Sequence, residues 1–162
     1  ALYLLARRAP VTGWVFVGGA RAADILCVPA FRALGWTVRV ATEDGSAGRR
    51  GRVTDLLDRW LAARSGEQPP PTLYACGPNG LLQAVCERAA RLGWRGWISM
   101  DRHMGCGLGA CLACVQKVRV RAADGTRTWG WARVCTEGPV FACDAMLWDS
   151  PAPPPTAAEP PP

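Results

Sequence analysis

Three of the eight cysteines in this 162-residue chain fall within nine positions, in the stretch RHMGCGLGACLACVQK at 102–117. Cys106, Cys111 and Cys114 form a C-x4-C-x2-C run, and Cys135 follows after twenty more residues. Thiolates at this spacing suit a [2Fe–2S] cluster, for which one loop supplies three ligands and a distant cysteine the fourth. Gly107, Gly109 and Ala110 fit that chemistry: small residues let the backbone curl, take positive φ and bring N–H groups close to sulfur. The candidate metal ligands are therefore Cys106, Cys111, Cys114 and Cys135, with Cys143 a competitor for the fourth place.

Other thiol chemistries make different demands. Structural zinc is usually held by two C-x2-C knuckles; one is present, and the sole histidine, His103, stands three residues before Cys106. A thioredoxin-like Cys111/Cys114 pair would open a helix after a strand, without two further cysteines nearby. Disulfides need an oxidising compartment, for which the sequence carries no signal. Cys27 and Cys86 fall on apolar helical faces and read as small buried hydrophobes, as does Cys143. Cys76 differs, because YACGP places it at the carboxyl end of a strand, where sheets flanked by helices bind their ligands.

The elements that must position these residues follow from periodicity. From 1 to 99, helix-like and strand-like segments alternate, the pattern of a parallel sheet with helices on its faces. GWVFVGG, WTVRVAT, 72–75 and GWISM read as strands. Val53, Leu56, Leu57, Trp60 and Leu61 recur at helical spacing with Thr54 as N-cap, and Leu81, Leu82, Val85, Cys86 and Ala89 do so with Asn79 as N-cap. Residues 22–34 are helical in composition, with Pro29 breaking or restarting the helix. The turns beginning at Gly18, Thr42 and Cys76 are the positions where ligands are expected. Beyond 100, helical periodicity gives way to a glycine-rich loop and two alternating runs, VQKVRVRA and TRTWGWARV, joined as a hairpin through ADGT. The expected organisation is an α/β domain at 1–99, a small loop-rich β domain holding the cluster at 100–149, and a disordered proline-rich tail at 150–162.

Composition bounds the function classes. A 49% hydrophobic content suits one good core or two small ones. Apolar runs such as 14–17 fall far short of the ~20 residues that cross a bilayer, so no membrane role is expected and the location is read as cytoplasmic. The net charge is +6, yet 18 of the 19 basic residues are scattered arginines. They do not interleave with aromatics as a strand-gripping surface requires, and nucleic-acid binding is not expected. Anionic cofactors explain the basicity equally well. An oxidised cluster with its four thiolates carries a charge of about −2, which Arg102, Lys117 and Arg133 could offset.

The succession ATEDGSAGRRGRVTDLL, LYACGPNGLLQAV, SMDRHMGCGLGACLACVQK and RVCTEGPVFACD resembles the electron-transfer subunit of the heterodimeric, NAD-dependent dihydroorotate dehydrogenases, within the ferredoxin-reductase-like superfamily. The resemblance implies a flavin-binding β-barrel, an NAD-binding α/β domain and a C-terminal [2Fe–2S] domain. Electrons would pass between NADH and a catalytic partner subunit that oxidises dihydroorotate in pyrimidine biosynthesis. By the same resemblance, Cys106, Cys111, Cys114 and Cys135 are the cluster ligands and Cys76, Gly77 and Pro78 face the nicotinamide. Gly19, Ala20 and Arg21, with Asp44 and Gly45, lie near the rest of the dinucleotide. A hydride carries two electrons together and a [2Fe–2S] cluster takes one at a time, so FAD must stand between them; no catalytic general base or nucleophile is expected here. The chain opens at Ala1 inside a helix, without the barrel, so it is expected to be N-terminally truncated and to bind FAD mainly through that missing part. The interval from Cys114 to Cys135 is longer than the family usually has, which points to a lengthened hairpin around Asp124-Gly125. The rival readings are an NAD(P)H:ferredoxin reductase-like subunit of another redox complex and a non-catalytic, metal-stabilised interaction module.

Overall fold

The structure, a computed structural model, describes residues 1–64 and 69–148; the tail expected at 150–162 lies outside them. Helix α1 (Leu2–Arg8) precedes β1 (Trp14–Gly19), a 3-10 turn (Ala22–Asp24), α2 (Val28–Ala33), β2 (Thr37–Thr42) and the two-residue β3 (Arg49–Arg50). Then come α3 (Val53–Ala62), β4 (Leu73–Cys76), α4 (Asn79–Leu92) and β5 (Gly96–Ser99). The chain continues through β6 (Val115–Arg121), β7 (Arg127–Arg133), α5 (Val134–Glu137), β8 (Val140–Ala142) and a 3-10 turn (Cys143–Ala145). Among the described residues no helix is long and apolar enough to cross a membrane.

The mixed α/β architecture and the parallel pairing agree with the sequence pattern, but the strands divide between two three-stranded sheets. One has the order β1-β2-β3, all parallel; the other has the order β4-β5-β8. β1 and β2 run in register from Trp14↔Thr37 to Gly19↔Thr42, and β4 and β5 from Leu73↔Gly96 to Cys76↔Ser99. The third strand of the second sheet comes from beyond the cysteine loop: β8 adds antiparallel to β5, Ile98 facing Phe141. Without it, the edge of β5 would leave its N–H and C=O groups unpaired. The predicted hairpin is present, pairing Val115↔Arg133 through Arg121↔Arg127. Its turn is held by the Asp124 carboxylate, which accepts from the N–H and hydroxyl of Thr126.

Both long helices present the predicted faces. Leu57 and Leu61 of α3 and Leu82, Val85, Cys86 and Ala89 of α4 are buried, in one cluster with Ile98, Met100, Cys114, Val134, Cys143 and Met146. The core is thus continuous across residue 100, and the segment bearing the cysteines is packed against the α/β layers. A smaller cluster of Ala6, Phe31 and Val38 lies beneath α1 and α2.

The helix starts differ from expectation. Thr54 and Asn79 are already helical, and the N-caps are Arg52 and Pro78. At α3 the capping acceptor is the Asp55 carboxylate, which takes the Arg52 N–H at 2.9 Å; an acidic group suits the positive end of a helix. Pro29 is the second residue of α2, in the first turn, where its missing N–H costs nothing. Cys27 is not a buried face residue. It stands outside α2 as its N-cap, exposed and with left-handed φ of 62°.

Candidate metal centre

The loop 101–114 has no regular structure and hangs between the end of β5 and the start of β6. Its first anchor is the Met100 N–H, which donates to the Pro139 carbonyl at 2.9 Å. Gly107 and Gly109 take φ of 69° and 82°, the left-handed conformations expected between the cysteines. At Gly109 a Cβ would also come within 3.3 Å of Arg133 and Thr136, so glycine lets the loop close on the residues beside Cys135. Leu112 has φ of 57° as well. In a branched, exposed side chain this is a strained conformation of the kind that clusters at functional loops, and no sequence signal announced it.

The hairpin solves the problem of the distant fourth thiol. Cys114 immediately precedes β6 and Cys135 follows β7 by two residues, so the open end of the hairpin brings them together whatever the length between. The Val134 N–H donates to the Cys114 carbonyl at 3.2 Å, and the Cys135 N–H points to Cys114 Sγ at 3.4 Å. At the other end of the loop, the N–H groups of Leu108 and Cys111 both reach Cys106 Sγ at 3.4 Å. The four thiols accordingly form two pairs, Cys106 with Cys111 and Cys114 with Cys135. Among the described residues, no three metal-ligating side chains close around a single ion.

The electrostatics follow that pairing. The Cys111 and Leu108 N–H groups pull the Cys106 thiol down to about 6. The Cys135 N–H and thiol lower Cys114, while Cys135 itself is raised by sharing its proton with Cys114. Arg133 is raised by the Glu137 carboxylate and, more weakly, by the thiolates of Cys135 and Cys114. Each of the three cations suggested as counter-charges also has a local partner. Arg133 pairs with Glu137 at 2.8 Å, Arg102 donates to Gln116 Oε1, and Lys117 lies 4.2 Å from the Trp129 ring centroid. Gln116, buried, also ties the hairpin to the chain beyond β8 by donating to the Leu147 carbonyl.

Cys143 sits elsewhere. Its Sγ lies against Cys86 Sγ at 2.6 Å, and a Cβ on Gly96, at the opposite end of β5 from the loop, would come as close. The geometry brings Cys135 to the end of the 101–114 loop, beside Cys114, and leaves Cys143 in the core.

The expected dinucleotide residues fall in two groups. The loops after β1 and β2 are stitched together: Glu43 and Asp44 N–H donate to the Gly19 and Ala20 carbonyls at 3.1 Å. Arg21 N–H donates to Asp24, and Ala22 N–H to the Ser46 hydroxyl, which in turn donates to Asp44 Oδ1. The turn expected to begin at Thr42 is there, with Thr42 buried and its hydroxyl donating to the Ala47 carbonyl; Ser46 was not singled out from the sequence, although Asp-Gly-Ser is a turn signature in which Asp44 accepts from Ser46. The close start of α3 on this sheet depends on Gly18, where a Cβ would stand 2.6 Å from Val53 Cβ. Cys76, Gly77 and Pro78 lie at the carboxyl end of β4, on the other sheet, with Cys76 exposed.

Residues 101–147 match the family model described as the iron-sulfur cluster binding domain of dihydroorotate dehydrogenase B. The chain is similar to the electron transfer subunit of NAD(+)-dependent dihydroorotate dehydrogenase B from Bacillus caldolyticus, 43% identical over 72% of this chain and 40% of that protein. It is likewise similar to the Shouchella clausii subunit, 38% identical over 86% of this chain and 50% of that protein. The chain thus spans no more than about half the length of these relatives. Among solved structures, a chain from an NADH-dependent reduced ferredoxin-NADP oxidoreductase superposes with a TM-score of 0.63 at 26% identity, covering 91% of this chain and 50% of that one. The resemblance read from the sequence and the ferredoxin-reductase-like α/β fold are both borne out, and the family-model match supports an iron–sulfur cluster.

Proposed function

We propose that the chain is an electron-transfer element of a heteromeric, NAD-dependent dihydroorotate dehydrogenase of pyrimidine biosynthesis. In this reading, residues 100–149 hold a [2Fe–2S] cluster and residues 1–99 take the dinucleotide. The observation that carries it is the pairing of four thiols, two by two, across a glycine-rich loop and the open end of a hairpin. A cluster with two irons takes two thiolates on each, and Cys106 with Cys111 and Cys114 with Cys135 fit that donor set. When bound, the cluster supplies one-electron exchange, to which FAD couples two-electron NADH.

The chain's own residues do the rest. The Leu108, Cys111 and Cys135 N–H groups donate to ligand sulfurs, an interaction that stabilises the more negative, reduced charge state. Gly19, Ala20 and Arg21, on a loop stitched to the next one through Glu43 and Asp44, line the dinucleotide with Asp44 and Gly45, and the Cys76-Gly77-Pro78 turn stands beside the nicotinamide. Dihydroorotate is oxidised on the partner subunit, and the assembly is cytoplasmic. The likeness to the ferredoxin-NADP oxidoreductase favours one second reading, an NAD(P)H:ferredoxin reductase-like subunit of another complex. Anaerobic purification with iron and acid-labile sulfide analysis tests the cluster: two irons and two sulfides per chain are expected, and zinc without sulfide would leave only a metal-stabilised interaction module. Identification of the co-purifying subunit separates the two redox readings.

A further inference from the structure

We propose that Cys86 and Cys143 form a reversible disulfide, a redox modification site separate from the four cluster cysteines, made by exchange with an anionic low-molecular-weight disulfide. Their Sγ atoms are 2.6 Å apart, although the residues are 57 positions apart in sequence. Neither is confused with a ligand: both are buried in the core, at 5% and 9% exposure, one on α4 and one on the 3-10 turn after β8. Cys143 Sγ is pressed against Gly96, where even a Cβ would be 2.6 Å away, so the sulfur has little room to turn from its partner.

Burial alone would make such a pair inert, but both cysteines line a surface groove of about 620 Å³. Arg119, Arg121 and Arg127 line the same groove against Glu87 and Asp144, an excess of positive charge. That favours an oxidant bearing carboxylates, such as oxidised glutathione, over a neutral one. Arg121 and Arg127 face each other directly across the hairpin, a repulsive cross-strand pair that an anion relieves.

The pair is also polarised. Donation from Cys86 lowers the Cys143 thiol, and the same shared proton, with burial, raises Cys86. Cys143, the more exposed of the two at 9% against 5%, is the sulfur that an external disulfide reaches first, and it is the attacking thiolate. It displaces one glutathione from the oxidant's sulfur–sulfur bond and becomes a mixed disulfide. Cys86 gives up its proton, attacks the Cys143 sulfur and displaces the second glutathione. Two protein thiols lose two electrons and two protons, and one glutathione disulfide becomes two glutathiones. The bond ties α4 to the chain leaving β8, the strand that follows the Pro139 carbonyl anchoring Met100 at the head of the cluster loop.

The test uses the full chain carrying its metal, incubated with oxidised or reduced glutathione, then denatured, alkylated, digested and weighed. The expected product of oxidation is a linked Cys86–Cys143 peptide pair, two hydrogens lighter than the free thiols, reversed by dithiothreitol and formed with unchanged iron content. Cys86→Ser should trap a glutathione on Cys143, whereas Cys143→Ser should leave Cys86 unmodified. Alkylation of both wild-type thiols after oxidation would overturn the proposal, as would linkage of Cys143 to a loop cysteine. Loss of iron on Cys143→Ser with retention on Cys86→Ser would do so too, by placing Cys143 among the ligands. Should either variant fail to fold, the wild-type peptide map still decides.

Discussion

Val134 is the residue through which the core holds the distant thiol in place, and truncating it should loosen the metal arm. Its side chain is 0% exposed, in the main core cluster, and its own N–H bonds the Cys114 carbonyl. Val134→Ala removes two methyl groups, about 1.6 kcal/mol of transfer free energy at ~0.8 kcal/mol per carbon. A residual cavity of roughly 40 Å³ adds about 1 kcal/mol at ~24 cal/mol per Å³. The expected loss is about 2–3 kcal/mol, a factor of roughly a hundred in the folding constant. With a urea slope of ~2 kcal/mol/M, the midpoint should fall by about 1 M. The control is Val120→Ala on the same hairpin, where 39% exposure leaves little to lose and a change within about 0.5 kcal/mol is expected. Urea unfolding followed by circular dichroism gives the stability, and iron transfer to a chelator in native buffer gives the effect on the centre, which should speed up in Val134→Ala only. A midpoint within roughly 0.2 M of wild type, about the scatter of such fits, would refute the burial argument. A destabilised variant with unchanged iron release would break the proposed link between core and thiol.

Four further outcomes follow from the geometry. Cys111→Ala and Cys135→Ala should lose iron and visible colour while Cys86→Ala keeps both; retention in Cys135→Ala with loss in Cys143→Ala would move the fourth ligand. Gly109→Ala puts a Cβ on a left-handed backbone, at a cost of about 1–2 kcal/mol, and within 3.3 Å of Arg133 and Thr136; iron content per chain should drop, and full occupancy would show that the loop has room to rearrange. Asp58, held by Arg88 through contacts of 2.6 and 2.7 Å, has its carboxyl lowered below 3.8 by that guanidinium. Its contribution, at most about 1 kcal/mol at this half-exposed site, is present above the unfolded value and lost as pH falls through the lowered one; Asp58→Asn should therefore lower the urea midpoint at pH 7 and converge with wild type as the carboxyl protonates in acid, and a constant gap would exclude the ion pair as its source. In the flavin-loaded protein, Cys76→Ala should slow flavin reduction by NADH in stopped flow without altering iron content, and equal rates would remove Cys76 from the nicotinamide site.

The chemistry of the loop was legible in the sequence because it depends on residue type at short range. Thiols at C-x4-C-x2-C with glycine between them constrain the local backbone wherever the loop is placed, and the positive φ of Gly107 and Gly109 followed. Helical faces on α3 and α4 were legible for the same reason: a 3.6-residue period is local. Helix starts were not, since Asp55 at the third position could cap as well as Thr54, and only the path of the chain before α3 chose between them. Long-range pairing was beyond the sequence. Cys135 and Cys143 are both thiols at plausible distances, and the hairpin register, which juxtaposes its two ends irrespective of length, brings Cys135 to Cys114. The packing of β8 on β5 sends Cys143 the other way, to Gly96 and Cys86, so that two cysteines with the same bland reading in sequence meet as a buried pair. The same packing makes the core continuous across residue 100, because an unpaired edge on β5 is covered by a strand from beyond the metal loop, a contact between segments that no local pattern encodes.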